Sequence, residues 1–292
     1  FANGAPIVYT RSVSDITYTT ARVSALLKEN QLESITQAGF CYSKSPIPTV
    51  EDDKVVHTAT SGAFSSYLND LEEGTTYYVR AYAMNVNGIS YGREMCFTTD
   101  MHTYHEGHEY IDLGLSVKWA TANLGESLPE KYGDYYAWGE TKTKTDYSWS
   151  TYQYGDSKNL TKYNSVSTFG KVDKKNMLEN IDDAANVVWG GDWRMPTSKE
   201  LNELYKNCKW TREAQGYRVT SSINGKSIFL AMGGCMTGTT IFKPGEQAYY
   251  WTNNCVEDES TMAYVLYLND QGYKYYTCPR YYGCFIRPVY PK

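Results

Sequence analysis

No stretch of the 292-residue chain approaches the roughly eighteen uninterrupted apolar residues that a membrane-spanning helix needs, so a helical span is excluded. Cationic residues are too few and too scattered to make a phosphate-binding stripe. There are 28 Lys and Arg against 33 Asp and Glu, a formal net charge of -5, and nucleic acid is excluded as a partner. Histidine is scarce, at 4 residues, and three of them (His102, His105 and His108) fall in "MHTYHEGHEY", where a solvated linker is expected rather than a metal site. Cysteine is odd in number: the 7 thiols include no CxxC and no zinc-like spacing, so at least one cannot pair within the chain. Phenylalanine is rare beside tyrosine, 8 against 29, which biases the aromatic mass toward rings that tolerate a half-wet position. An initiator methionine is missing as well, and the expectation is a form from which a targeting segment has been removed.

What is present is a globular composition, with 41% hydrophobic and 21% charged residues, on a chain long enough for two ordinary domains. In the first hundred residues, "DITYTTARVSALL" (15–27), "AGFCYS" (38–43), "TTYYVRAYAMN" (75–85) and "GREMCFTT" (92–99) are rich in β-branched and aromatic residues and alternate in polarity, which predicts strands. Gly, Pro and Asn in "SKSPIPT", "LEEGT" and "NVNGISYG" supply turns between them. A small antiparallel sandwich follows, with Cys41 and Cys96 expected as buried free thiols in its strands. Leu71, Gly74, Thr75 and Tyr77 in "LEEGTTYYVRAYA" resemble the fibronectin type III pattern in which a tyrosine closes a corner through its hydroxyl. That resemblance covers about residues 5–99 and implies a spacer.

The aperiodic segment "DMHTYHEG" places a linker at 100–107, between a sandwich at 1–99 and a second domain at 108–292. In the second domain, Thr197 and Glu200 stand at capping-box spacing after Pro196. Leu201, Leu204, Tyr205 and Cys208 recur on one helical face, predicting a helix over 198–208. A shorter helix is expected in "NIDDAANVVW", ended by Gly190 and Gly191, with Asp182 and Asp183 in its first turn as partners of the helix dipole. Beyond Gly216 the runs "GYRVTS", "KSIFLAM", "AYYWTN", "MAYVLYLN" and "GYKYYTC" are strand-like. Helices early and strands late predict an α+β domain with a twisted antiparallel sheet.

The motifs "YIDLGLSVKWATANLG", "YGDYYAWGE", "DDAANVVWGGDWRMPTSKELNEL", "GYRVTSSINGKSIFLAMGG", "YYWTNN" and "YYGCFIRPV" resemble, in this order, a group of Bacteroidetes surface proteins similar to the Fibrobacter succinogenes major paralogous domain. The likeness covers nearly all of 108–292. It implies a C-type-lectin-like fold of the kind shared with formylglycine-generating enzymes, and adhesion or ligand binding as function. It also implies that Trp119, Trp138, Trp193, Arg194, Pro196, Trp251, Arg287 and Pro288 are core and turn positions, with Arg194 and Arg287 meeting buried carboxylates or backbone carbonyls. A ligand surface, by the same resemblance, lies in the last strands and loops, about 249–282.

Along "GYKYYTCPR", strand alternation turns Tyr273 and Tyr275 to one side and Lys274 and Tyr276 to the other. Because lysine prefers water, Tyr276 is expected to share its exposed face. Tyr281 and Tyr282 precede "GCFIRPV", where at least one ring is expected to pack. The expected ligand-binding set is Asn253, Asn254, Glu257, Asp258, Asn269, Lys274, Tyr276 and Arg280, whose rings, amides and charges suit either a glycan or a protein. Calcium is a lesser alternative: Asn253, Asn254, Glu257, Asp258 and Glu259 offer oxygens, but the Glu-Pro-Asn or Gln-Pro-Asp tripeptide of sugar-binding C-type lectins is missing. No other metal or cofactor is expected.

No enzyme is expected either. GxSxG and HExxH are missing, and Cys278 and Cys284, the candidates for a thiol chemistry of the formylglycine-generating kind, have no histidine nearby in sequence. The combined expectation is an exported protein displayed at the cell surface, an adhesin for a glycan or for a host or bacterial surface protein. A structural or tip subunit of a fimbria-like surface assembly is the alternative.

Overall fold

The structure, a computed structural model, describes residues 4–28, 33–58 and 61–292. It divides into two compact units, Phe1–His102 and Thr103–Lys292. No helix among the described residues is long and apolar enough to cross a membrane.

The first unit is all β: β1 (Val8–Ser14), β2 (Ala21–Leu27), β3 (Gln37–Ser43), β4 (Asp53–His57), β5 (Gly62–Leu68), β6 (Thr76–Asn85), β7 (Gly88–Tyr91) and β8 (Met95–Thr98). One sheet runs β1-β2-β5 and the other β4-β3-β6-β7, with β8 also pairing β6. Alternation explains the core. Ala21, Val23, Ala25 and Leu27 face inward on β2, and Tyr77, Val79 and Ala81 do so on β6, so period-2 side chains from both sheets meet. The Glu72 amide donates to the Tyr77 hydroxyl at 3.0 Å, closing a tyrosine corner across the turn at Gly74, whose φ of 58° a β-carbon would strain. The unit is a fibronectin type III-like β-sandwich. Two expectations change. Only the second half of 15–27 is strand, and Cys96 is exposed, because its side chain lies on the solvent side of β8 while Phe97 turns inward.

The second unit continues with β9 (Thr103–His105), β10 (His108–Ile111), β11 (Val117–Ala120), α1 (Ala184–Trp189), α2 (Ser198–Asn207), β12 (Cys208–Glu213), β13 (Gly216–Ser221), β14 (Ser227–Ala231), β15 (Cys235–Thr237), β16 (Thr240–Phe242), β17 (Gln247–Cys255), β18 (Met262–Asn269), β19 (Gly272–Pro279) and β20 (Val289–Pro291). The expected linker over 100–107 is therefore not aperiodic throughout: β9 and β10 form a hairpin through Glu106 and Gly107. Its histidines are not solvated side chains in a row. The His105 ring stacks on Tyr290 at 4.3 Å and His108 on Trp189 at 3.8 Å, while His102 stacks on Tyr18 at 3.8 Å and bonds Glu73.

Instead of one twisted sheet there are several small ones: β20-β11-β10-β9, β12-β13-β14, the β15-β16 hairpin and β17-β18-β19. Residues 121–183 carry only short 3-10 turns and isolated bridges. Such a segment holds its shape by polar anchoring, and two buried arginines, Arg287 and Arg280, supply it. Arg287 donates to the carbonyls of Ala120, Thr121 and Phe229 and to Asn123 Oδ1, all within 3.3 Å. Burial pulls its guanidinium down to about 10, still protonated at neutral pH. Arg194 instead grips the Glu200 carboxylate with two bonds of 2.8 and 2.6 Å. Both outcomes lie within the expected pair of partners.

Helix α2 starts at Ser198 with the capping box in place: the Thr197 hydroxyl accepts from the Glu200 amide, and the Glu200 carboxylate accepts from the Thr197 amide. Short α1 begins at Asp183, which accepts from the amides of Ala185 and Asn186, and ends at Gly190. Asp182, expected in the same first turn, sits one residue earlier in a 3-10 turn and binds the Lys162 ammonium and the Tyr163 hydroxyl.

Candidate functional site

The sheet β17-β18-β19 separates two cores. One face contributes Ala248, Tyr250, Leu266 and Leu268 to the core that also holds Leu201 and Leu204 of α2, and Tyr273 packs against it. The opposite face contributes Trp251, Ala263, Val265 and Cys278 to the core around Trp138. Register follows from the hairpin at Asn269↔Gly272: Tyr267 lies opposite Lys274, Leu266 opposite Tyr275, and Val265 opposite Tyr276. Alternation therefore places Lys274, Tyr276 and Cys278 on one face and Tyr273, Tyr275 and Thr277 on the other, as expected.

Burial changes along the Trp138-side face. Toward Cys278 it is sealed; toward the hairpin tip it opens, and there Lys274 and Tyr276 stand in solvent, Tyr276 at 49% exposure. The Lys274 ammonium sits 4.7 Å over the Tyr276 ring and 5.3 Å over the Tyr267 ring. Tyr267 in turn lies 4.9 Å from Tyr249. Two rings on neighbouring strands thus carry one cation, with Tyr249 on the third strand backing Tyr267, and no carboxylate among the described residues forms a salt bridge with it. The Asn269 amide donates to the Tyr267 hydroxyl at 3.4 Å, and the Tyr249 hydroxyl donates to Gln247 Oε1 at 3.1 Å. Burial drives the Tyr249 phenol well above its usual range, so at neutral pH it stays an uncharged hydrogen-bonding group.

The tip is tied down. Arg212 of β12 holds Asp270 with bonds of 3.2 and 2.6 Å, and the Tyr217 hydroxyl donates to the Asn269 carbonyl at 2.8 Å. A rigid aromatic and cationic patch is what this geometry supplies: ring faces for apolar surface, and an ammonium with donors to offer an anion.

Of the expected set, the structure gathers Lys274, Tyr276 and Asn269 there. Glu257 and Asp258 are exposed but occupy the β17–β18 connection at the other end of β18, seven residue steps or about 23 Å away. Asn254 is half-buried, and its Oδ1 accepts the Ser198 amide at 2.9 Å, so it serves the start of α2. Asn253 is buried: its main chain bonds Pro196 and Leu178, which pins the irregular segment to the sheet. Arg280 is fully buried and is no contact residue. It donates to the Tyr152 hydroxyl and to the carbonyls of Lys162, Tyr163 and Ser260, with its guanidinium 4.7 Å over Trp138. The strand has ended at Pro279, and the chain there turns inward toward a ring-lined cage that only a long planar cation fills.

Sequence reasoning missed Tyr249 and Tyr267. The signal was available: the turn "NDQG" fixes the register of β18 on β19, and Tyr267 then faces Lys274. Tyr281 and Tyr282 are both half-buried and pack against the Trp138 core. Cys235, Cys278 and Cys284 lie buried close beneath this face, and burial beside Cys278 raises the Cys284 thiol far above its ordinary value.

No family model matches the chain, and no curated protein does. Among solved structures, the sensor domain of the anti-sigma factor RsgI4 in Pseudobacteroides cellulosolvens is 17% identical, matching 32% of this chain and 94% of its own, with a TM-score of 0.25. The third fibronectin III domain of human KIAA0343 protein is 15% identical over 35% of this chain and 88% of its own, also at 0.25. A redesigned β-sandwich protein is 29% identical over 33% of this chain and 94% of its own, again at 0.25.

Proposed function

We propose that this chain is a surface-displayed binding protein: a sandwich spacer carrying a C-type-lectin-like domain of the Bacteroidetes surface-protein kind, which adheres to a glycan or a surface protein through the open end of β17-β18-β19. The reading rests on one observation, the Lys274 ammonium held over the half-buried ring of Tyr267 and the exposed ring of Tyr276 on a tip fastened by Arg212 and Tyr217. Exposed aromatic groups on rigid strands give contact area at small entropic cost. Export and surface display belong to the proposal, and no catalytic step is part of it. The high, buried thiol of Cys284 supports that non-catalytic reading.

The test is a glycan array run beside a pull-down from mucosal and bacterial surface extracts, with Lys274→Ala/Tyr276→Ala as control. Capture by the parent chain and not by the variant, at equal thermal stability, is the expected result. Equal capture by both would remove this patch from the function. A subunit role in a surface assembly is the second reading, favoured by the outermost position of β19 in its sheet.

A further inference from the structure

The two margins of the sheet β17-β18-β19 are treated differently by the fold. On the β17 side the backbone is covered: the Trp251 amide donates to the Phe285 carbonyl, the Phe285 amide to the Tyr249 carbonyl, and the Gly234 amide to the Gln247 carbonyl, all within 2.9 Å. On the β19 side, among the described residues, no backbone hydrogen bond joins Tyr273–Thr277 to anything but β18. In an antiparallel pair every other residue turns its N–H and C=O away from its neighbour, so β19 presents a row of open donors and acceptors. Folds blunt such margins with short strands, bulges, prolines or a covering loop. Here the strand is 8 residues long, paired without a break in register, and flanked by exposed rings, with one lysine as its charge.

The two faces beside this margin differ in chemistry. On the α2 face a groove runs between the helix and the strand pair, with Leu201 and Leu266 as floor and Tyr205 and Tyr275 as walls; these rings are 44% and 41% exposed. On the other face stands Lys274 with Tyr276. A strand laid along β19 would send alternate side chains to these two faces.

We propose that β19 accepts an extended segment of a partner protein as an added strand, with apolar side chains entering the α2 groove and acidic ones meeting Lys274. This builds on the reading of β19 as the contact element and names the partner's chemistry. Charge complementarity selects it: among the described residues Lys274 is a cation without a salt bridge, on a face to which Glu257 and Asp258 do not reach. A second copy of this chain would bring lysine instead of carboxylate to the shared face, and a glycan would leave the backbone row unused.

The probe is a fluorescently labelled synthetic peptide alternating valine and glutamate, titrated into the full chain by anisotropy. Saturable binding is expected, with no binding of the valine–lysine analogue. Methylating the backbone nitrogens of one alternate set should weaken binding by roughly tenfold or more, and methylating the other set should leave it nearly unchanged, because only one set faces β19. Lys274→Glu, an exposed change expected to keep the melting temperature, should reverse the preference toward the valine–lysine peptide. Equal binding of both methylated peptides, an unchanged preference in Lys274→Glu, or dimerisation through β19 in place of peptide binding would each overturn strand addition. Patch-dependent glycan capture without peptide binding would also overturn it, while leaving the adhesive reading intact; loss of both would remove both.

Discussion

Arg280 donates from Nε to the hydroxyl of Tyr152 at 2.8 Å, and that hydroxyl donates in turn to the Trp138 carbonyl at 2.7 Å. A cation fully enclosed by rings and carbonyls links the end of β19 to the irregular segment before α1. Arg280→Ala should therefore destabilise the second unit by about 3 kcal/mol or more, since it leaves buried carbonyls unpaired and a cavity beside Trp138. Urea unfolding followed by tryptophan fluorescence measures this, and a loss under about 1 kcal/mol would contradict the enclosure.

Lys274→Ala with Tyr276→Ala should behave oppositely. Both side chains are exposed, and a surface cation–ring contact contributes only about 0.5–1 kcal/mol. The melting temperature should change little while ligand capture falls. A large drop in stability would mean that these groups are structural.

Glu200 serves two partners at once, the Thr197 amide and the Arg194 guanidinium. Glu200→Ala should cost about 2–4 kcal/mol, more than Thr197→Ala at about 1 kcal/mol, because it also leaves Arg194 unpaired in a half-buried site. Equal losses in the two variants, read from urea midpoints, would place the whole contribution in the cap.

Burial pushes the Asp183 carboxyl up to about 6, against the pull of the amides of Met195, Asn186 and Ala185 and of the Arg194 charge. An acid whose folded pKa exceeds its unfolded value binds more protons when folded. Its contribution is thus full below the unfolded pKa, about 4, and declines as pH rises through about 6. The stability difference between the parent chain and Asp183→Asn should shift by about 2–3 kcal/mol in favour of the variant between these limits, then level off. A difference independent of pH would show that the amides hold the carboxylate ionised.

Thiol labelling should be selective. Cys96 is exposed, whereas Cys41, Cys208 and Cys255 are buried and pushed up to about 11, and Cys235 to about 12. Native protein should take up iodoacetamide at Cys96 first, the others reacting only on unfolding. Mass spectrometry locates the adducts. Rapid labelling of Cys278 or Cys284 would reopen a thiol chemistry.

Local features were legible where one segment decides its own geometry. The capping box at Thr197 and Glu200, the end of α1 at Gly190, the tyrosine corner at Tyr77 and the alternation of Lys274 with Tyr275 all depend on neighbours within a few residues. Arg280 was misread for the same reason: next to Tyr281 and Tyr282 in sequence it resembles a contact residue, but its partners Tyr152, Lys162 and Tyr163 arrive from a segment with no periodicity. Asn253 and Asn254 were drawn to Pro196 and Ser198 by equally distant contacts.

By itself the amino-acid sequence determined the strand alternation, the turns and caps, the β-sandwich of the first unit, and the sidedness of β19, because short-range sterics and the preference of lysine for water act without reference to the rest of the chain. Tertiary structure alone decided which charges would be enclosed, which rings would share a face, and which margin of a sheet would stay open. Those outcomes depend on whether a remote backbone carbonyl or ring comes within bonding distance, and only the folded arrangement of the whole chain sets that distance.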